Sequence, residues 1–423
     1  MSATSAASDE RRQAAVASRA LTAPVYRLQK SLFFPAISGK SPMHRLPGLD
    51  LLRAVAIVSV LCTHAWIVGG MGYGFGWIEE YGWMGVDLFF VLSGYLIGRQ
   101  VLVRYKRGEG VDLPAFYRQR AYRILPAYVA VVALYFLFPG LREQEAIQPL
   151  WQFLTFTMNL FVDQSAMHAF SSAWSLCVEE HFYLIFPVAV LFVAPLARAK
   201  RVTGMLLLAL VLAGLTWRGF AWWQSAAAPV AGSGAWEMDG RRYMELIYYP
   251  TYARLDGLLF GIGLAILSVY PTSPWERLQR YPNLLALLGF TIVLFAAWIF
   301  RDILTFAACV FGFPILSAGL ALIVAAAASP AGLLARMRLP GTAWLAATSY
   351  SIYLSHKAML KLASKHLPDG LNHHGILTFL CCLLVAITAA ALLHYLVERP
   401  FLLLRDQRRH KGMPSPVVEA GGV

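Results

Sequence analysis

GLDLLRAVAIVSVLCTH, residues 48–64, opens the first long apolar run of the chain and contains two ionisable side chains, Arg53 and His64. In a helix of about 100° and 1.5 Å per residue, this pair lies on nearly one face and about 16 Å apart along the axis. The spacing predicts a membrane helix with Arg53 at the membrane edge and His64 near mid-bilayer. Ionisable residues at such depth indicate a functional site. A snorkelling arginine with a hydrogen-bonded bundle histidine is the structural alternative.

The composition extends the membrane interpretation to the rest of the chain. Of 423 residues, 58% are hydrophobic and 14% are charged, and the mean hydropathy is +0.57. Apolar runs repeatedly reach the roughly 20 residues that a spanning helix needs. We therefore expect an all-α fold, a polytopic transmembrane bundle of about ten helices. The predicted spans are 50–69, 84–103, 122–139, 174–196, 203–223, 248–270, 283–300, 303–328, 343–362 and 376–397.

The net charge of +13 is not distributed as in a nucleic-acid-binding protein. Basic residues collect in alternate segments, within 11–45, 104–123, 198–201, 277–280, 336–338 and 405–411. The positive-inside rule then predicts that both termini are cytoplasmic and that the protein is a multi-pass protein of the inner (plasma) membrane. We expect membrane lipid and no nucleic acid among its partners.

One membrane domain is predicted to contain the whole activity. Residues 1–45 lack the apolar segment of a cleavable signal and are expected to form a disordered or surface-lying cytoplasmic extension. The transmembrane domain is assigned to 46–404 and a basic cytoplasmic tail to 405–423. The five cysteines, Cys62, Cys177, Cys309, Cys381 and Cys382, all fall in predicted spans. They are therefore expected to be packing residues, and no metal site is predicted.

A basic cluster at the predicted cytoplasmic mouth is a candidate anion site. In FYRQRAYRILP, residues 116–126, Arg120 and Arg123 are three residues apart and share one helical face. Guanidinium groups suit the geometry of phosphates. Topogenic charge and contact with lipid headgroups account for the same pattern equally well.

Two carboxylates and an imidazole follow a predicted outer loop in WSLCVEEHFY, residues 174–183, which begins with Trp174. A carboxylate at that position could act as a base on a hydroxyl substrate, or orient it. Glu179 is the stronger candidate, because Glu180 could simply face water. An interfacial cluster that anchors the helix is the structural alternative.

Three further segments supply polar groups inside predicted spans. Arg254 and Asp256 are two residues apart and are candidates to shape a cavity, or to satisfy structural partners on other helices. Tyr353 and His356 lie in SYSIYLSHK, residues 349–357, where His356 could line the same cavity as His64 or be a satisfied bundle histidine. Asp87 begins the second span, in which Ser93-Gly94 permits close helix packing. Asp87, Ser93, Trp174 and Tyr353 are further candidates to line the cavity or to bind an acceptor substrate.

Together these segments resemble the acyltransferase 3 family of integral membrane acyltransferases over residues 46–404. The family pattern of a basic residue, ten intervening residues and a histidine in the first helix is met by Arg53 and His64. The other family marks follow in order: GVDLFFVLSGYL (85–96), RAYRILP (120–126), WSLCVE (174–179) with FY (182–183), RLD (254–256), YLSH (353–356) and ERP (398–400). Seven motifs in sequence make the resemblance specific.

The resemblance implies transfer of an acyl group, commonly acetyl, from a cytoplasmic acyl-CoA to a hydroxyl of a carbohydrate or glycolipid acceptor. Many members modify bacterial surface polysaccharides. We expect acetyl-CoA to be a donor substrate rather than a permanently bound cofactor. Compared with fused members, the chain is expected to lack the hydrolase-like domain after the last helix.

The expected mechanism places the acyl donor and the acceptor at opposite ends of the bundle. Arg53, Arg120 and Arg123 bind the phosphates of coenzyme A, and the thioester extends towards His64. His64 acts as a general base or as a transient acyl carrier, and the sequence leaves both open. Glu179 is expected to orient or deprotonate the acceptor from the outer side. A proton-coupled transporter or flippase is the alternative from another functional class.

Overall fold

The computed structural model describes residues 46–72, 74–162, 169–196, 199–226, 237–367 and 375–411. Of the described residues, 78% are helical and none belongs to a strand. Ten helices in these ranges have 14 or more residues. They are α1 (Pro47–Thr63), α2 (Met84–Lys106), α3 (Leu113–Leu137), α4 (Ala173–Val193), α5 (Ala199–Ser225), α6 (Asp256–Val269), α7 (Pro282–Ile299), α8 (Phe313–Ala328), α9 (Thr342–Lys365) and α10 (Ile376–Leu393). The predicted all-α class is confirmed, and every predicted span overlaps one of these helices.

Seven helical segments are long and apolar enough to cross a membrane. They are Met84–Lys106, Leu113–Leu137, Ala173–Val193, Arg201–Ser225, Pro282–Ile299, Ala308–Ala328 and Ile376–Arg408. Helix α1 has 17 residues and α6 has 14, and α9 carries serine, tyrosine, histidine and lysine on its buried positions. That α1, α6 and α9 also span the membrane, and that both termini are cytoplasmic, stay predictions. The extension assigned to 1–45 lies outside the described residues, as do residues 412–423 of the tail.

Helices α2 and α6 pack very closely, because glycines lie at their contact. A larger residue at these positions would clash with the backbone of the other helix. A Cβ atom on Gly94 would lie 2.3 Å from the carbonyl oxygen of Leu258. One on Gly261 would lie 2.4 Å from the carbonyl oxygen of Val91. Small residues permit this approach in membrane helices. The contact brings Asp87 of α2 to the polypeptide that enters α6.

Helix α1 packs against α2 and α9 and ends where the chain turns. His64 leaves the helical conformation, with φ −98° and ψ 10°, and a 3₁₀ turn follows at Ala65–Val68. Gly69 ends that turn with φ 92°, a conformation that glycine adopts without strain. His64 therefore stands at the very end of α1, where its imidazole reaches beyond the last α-helical turn.

Two long connections between helices, at about residues 140–173 and 224–247, contain aromatic side chains that are partly folded into the bundle. Phe153 and Tyr243 are almost completely buried, whereas Trp151 and Phe161 are about half exposed. The ring of Phe153 stacks on Phe170 at a centroid distance of 6.2 Å. Phe153 and Tyr243 thus belong to the helical bundle, whereas Trp151 and Phe161 lie at its surface.

All five cysteines are free thiols, and each lies in a helical segment. Cys177, Cys309 and Cys382 are buried, and the other two are partly buried. This arrangement agrees with the predicted packing role.

Candidate active site

Two histidines from different helices meet at the end of α1. The Nε2 atom of His356, on α9, lies 3.2 Å from Nδ1 of His64, and the ring centroids are 4.9 Å apart. His356 is completely buried, whereas His64 is only partly buried. Of the two histidines, His64 is among the described residues that line the cavity below, and His356 contacts His64 without lining that cavity. Neither is a lone histidine in the bundle.

The contacts of these rings determine which nitrogen carries the proton in the neutral forms. Nδ1 of His356 lies 2.8 Å from the carbonyl oxygen of Tyr353, and a carbonyl can only accept. His356 is thus protonated on Nδ1 and offers the lone pair of Nε2 to His64. Nδ1 of His64 lies 2.7 Å from the carbonyl oxygen of Val60, so this nitrogen donates to both acceptors. The lone pair of neutral His64 is consequently on Nε2.

His64 lines a cavity of about 220 Å³. Three tryptophans and four tyrosines form much of its wall, among them Trp174 and Tyr353, which the sequence predicted as cavity residues. The hydroxyl of Tyr353 lies 2.5 Å from Oγ of Ser175, so α9 and α4 are joined at this wall. Aromatic walls with a few convergent polar groups are typical of a binding site for an organic substrate.

The three predicted arginines converge near the opposite end of α1. Arg53 interacts electrostatically with Arg123, Arg120 and Tyr183. The guanidinium of Arg120 lies over the ring of Tyr183, 4.6 Å from its centroid. Among the described residues, no carboxylate lies within 4.0 Å of any of the three guanidiniums. Asp50 acts electrostatically on Arg53, and Glu179 and Glu180 act on Arg120, but none of them forms a direct ion pair with these guanidiniums, which favours the binding of an anion between them.

Glu179 belongs to this arginine end and not to the wall of the His64 cavity. Its carboxylate accepts from Oγ of Ser93 at 3.0 Å and from the hydroxyl of Tyr183 at 2.7 Å. Those two hydroxyls are 3.1 Å apart and close a three-membered cluster. Glu179 is six residues into α4, about 9 Å along the axis from its start, whereas Ser175 reaches the cavity wall. Glu179 therefore does not line the described cavity, and its expected position near the outer boundary stays a prediction.

Arg254 and Asp256 do not pair with each other. Arg254 Nη2 donates to both carboxylate oxygens of Asp87, at 2.9 and 3.0 Å. Asp256 accepts from Arg218 on α5, at 2.7 and 3.2 Å. Arg254 and Asp256 thus each pair with a residue of another helix, as in the structural alternative given above for this pair. Arg254 also lies against the cavity wall, 5.2 Å from the ring centroid of Trp174.

Arg218 was not predicted, although its sequence position carried a signal. It is a single arginine inside the apolar segment of α5, and it is fully buried. A buried cation in such a segment requires a carboxylate on a neighbouring helix. The isolated arginine was therefore a sequence signal for a buried carboxylate partner, which in the structure is Asp256.

A second missed group lies at the cavity. Lys357 directly follows His356, and its Nζ donates to Oε2 of Glu143 at 3.0 Å and to Oγ of Ser171 at 2.5 Å. Ser171 Oγ also donates to the same carboxylate oxygen at 2.7 Å. Lys357 and Ser171 line the cavity together with His64. Glu143 lies in a loop more than 200 residues away in sequence, so no local sequence pattern predicts this cluster.

The comparisons with known proteins agree with this arrangement. A family model described as an acyltransferase domain matches residues 46–395. The chain belongs to the acyltransferase 3 family. The match covers every predicted site residue, and the family resemblance of the sequence is confirmed.

Two curated relatives are O-acetyltransferase OatA of Staphylococcus aureus, from strains NCTC 8325 and COL. Each is 25% identical over 354 residues, which is 77% of this chain and 52% of the relative. A further S. aureus sequence, named only provisionally as an O-acetyltransferase, is 24% identical over 381 residues, 85% of this chain and 58% of its own length. The chain thus spans about half the length of these relatives. No solved structure matches it.

Proposed function

We propose that the protein is an integral membrane O-acyltransferase that moves an acyl group, in the first instance acetyl, from acyl-CoA to a hydroxyl of a carbohydrate-containing acceptor. One observation supports this proposal above the others. His64 presents the lone pair of Nε2 in an aromatic cavity, and it lies at the end of the same short helix that brings Arg53 close to Arg120 and Arg123. Family membership supports the reaction class.

The arginine end is the proposed donor site. Arg53, Arg120 and Arg123 are the groups that would bind the phosphates of coenzyme A, since guanidiniums form paired hydrogen bonds to phosphate. The helical rise between Arg53 and His64 is about 16 Å. An extended pantetheine arm covers that distance and brings its thioester to the histidine.

The proposed reaction begins with the lone pair of His64. Nε2 takes the proton of the acceptor hydroxyl as its oxygen attacks the thioester carbonyl. The tetrahedral intermediate collapses to an ester and the thiolate of coenzyme A, and the imidazolium returns the proton to that thiolate. Nδ1 stays bonded to Val60 and His356 throughout, so the ring does not have to rotate.

The acyl-carrier alternative uses the same nitrogen. In that mechanism Nε2 attacks the thioester itself, and the acyl-imidazole is then attacked by the acceptor hydroxyl. Both mechanisms need the proton on Nδ1. Detection of an acylated His64 in the absence of acceptor separates them.

Glu179 has a positioning role in the proposed donor site. Its bonds to Tyr183 and Ser93 hold the ring over which Arg120 lies. The carboxylate also supplies a negative charge to a region crowded with guanidiniums. This role replaces the expected one on the outer side, because Glu179 does not line the cavity.

The cavity wall supports a sugar ring as the acceptor. Tryptophan and tyrosine present flat apolar faces with a polar edge, which suit a ring with both C–H faces and hydroxyls. With the positive-inside distribution, we propose that the donor end faces the cytoplasm, that both termini are cytoplasmic and that the membrane is the plasma membrane. Arg254, which is paired with Asp87, packs against Trp174 of this wall.

The test is release of the free thiol of coenzyme A from acetyl-CoA by detergent-purified protein. Wild type, His64→Ala and Arg53→Ala are compared with N-acetylglucosamine and methyl glucoside as acceptors. We expect acceptor-dependent release by wild type, loss of it in His64→Ala, and a raised KM for acetyl-CoA in Arg53→Ala. Equal release by wild type and His64→Ala would overturn the mechanism. Absence of release and of acetyl-CoA binding by wild type would favour a transporter.

A further inference from the structure

Lys357 is the charged side chain of the cavity wall. Of the described residues that line the cavity, it is the one lysine, and none is arginine, aspartate or glutamate. His64 and Lys357 both line this cavity. The mechanism proposed above assigns nothing to Lys357.

The ammonium group of Lys357 is held in a fixed position with one donor to spare. It has three N–H groups, of which one is bonded to Glu143 and one to Ser171. The backbone N–H of Ser171 also donates to Glu143, at 3.2 Å, so the cluster is closed on itself. The lysine side chain is 8% exposed. Such a group does not have to reorganise when charge develops beside it.

The proposed reaction requires a positive hydrogen-bond donor beside the thioester carbonyl in this cavity. Attack on a thioester carbonyl converts its oxygen to an oxyanion, and a donor already aimed at that oxygen is commonly the largest electrostatic contribution to catalysis. His64 cannot supply it, because Nδ1 is bonded to Val60 and His356 and Nε2 handles the proton. The cavity wall contains no other cationic side chain among the described residues.

We infer that Lys357 is a further catalytic residue, whose third N–H binds the oxyanion that forms on the thioester carbonyl beside His64. This inference rests on the proposed acyl transfer. The oxygen of the acceptor bonds to the carbonyl carbon, the C=O π pair moves onto oxygen and is held by Lys357, and the pair returns as the C–S bond breaks. Lys357 keeps its proton throughout, and the hydroxyl proton passes through His64 to the thiolate.

A purely structural role would also explain the bonds of Lys357, because they tie a loop to α9. Lys361 provides the matched control. It lies one helical turn further along α9 and donates to the carbonyl oxygens of Arg142 and Glu143 in the same loop. It is absent from the described cavity wall. Loss of Lys361 therefore removes a loop contact without removing a charge from the cavity.

The experiment compares kcat and KM for acetyl-CoA in wild type, Lys357→Met, Lys357→Arg and Lys361→Met. A fourth variant combines Lys357→Met with Glu143→Gln, so that no unpaired carboxylate is left in the cluster if the single variant fails to fold. Melting temperature and gel filtration in detergent monitor folding. The donor is acetyl-CoA, and the acceptor is whichever sugar supports turnover by wild type.

We expect kcat to fall by about 100-fold in the Lys357→Met variants, as for removal of one oxyanion donor, with KM for acetyl-CoA unchanged. Lys357→Arg should recover at least a tenth of the wild-type kcat, and Lys361→Met should change kcat by less than threefold. Folded Lys357→Met variants with wild-type kcat, or an equal loss in Lys361→Met, would overturn the inference while leaving acyl transfer intact. A wild type without acyl transfer would instead remove the proposed function on which the inference rests.

Discussion

Replacement of His356 by phenylalanine tests whether the second histidine orients the first. Phenylalanine fills similar space but cannot accept the hydrogen bond from Nδ1 of His64, which is 3.2 Å long. The carbonyl oxygen of Val60 remains as an acceptor at 2.7 Å, so the correct tautomer keeps one of its two supports. A typical hydrogen bond contributes about 1 kcal/mol, which corresponds to about a fivefold change in rate. We expect kcat to fall by about five- to tenfold.

The assay is turnover of acetyl-CoA by detergent-purified protein, with kcat and KM determined separately. KM for acetyl-CoA should stay unchanged, because His356 lies far from the arginine end. His356→Gln, whose amide oxygen accepts a hydrogen bond, should recover most of the activity. His366→Phe is the matched control, since this exposed histidine directly follows the same helix, and its imidazole contacts the carbonyl oxygen of Leu362. A loss as large as that of His64→Ala, about 100-fold or more, would refute a purely orienting role.

Three further predictions concern packing, buried charge and the donor site. Gly94→Ala should separate α2 from α6 and lower the melting temperature, whereas Gly263→Ala, which meets nothing within 4 Å, should not. Asp87→Asn should lower the free energy of unfolding by about 3 kcal/mol, because it leaves a buried guanidinium without its counter-charge; thermal unfolding in detergent measures this. Arg123→Gln should raise the KM for acetyl-CoA about tenfold, and Arg118→Gln, at an exposed position, should leave it unchanged.

The sequence predicted those parts of the protein that depend on short-range pattern. Each of the ten apolar windows overlaps one of the described helices, and the eleven-residue spacing put Arg53 and His64 about 16 Å apart along the axis of α1. Arg120 and Arg123 were predicted to share a face, and the structure brings both to Arg53. These statements need only helical geometry and the cost of burying charge.

The remaining parts depend on how distant segments meet, which helical periodicity does not specify. Asp87 and Arg254 are 167 residues apart, and Lys357 and Glu143 are 214 apart. The contacts of Glu179 have a similar origin. Its depth of six residues into α4 and the α2–α4 contact at Ser93 place it beside Arg120 and Arg123, which its local sequence does not specify.

The most direct test of the account is a single-turnover reaction of purified protein with acetyl-CoA labelled in its acetyl group. Protein in excess over acetyl-CoA is mixed with the sugar acceptor in the absence of any membrane gradient, and the sugar is then analysed for label. We predict labelled ester with wild type and none above background with His64→Gln, although this variant still binds acetyl-CoA. Label transfer by His64→Gln at the wild-type rate would contradict the central role of Nε2 of His64.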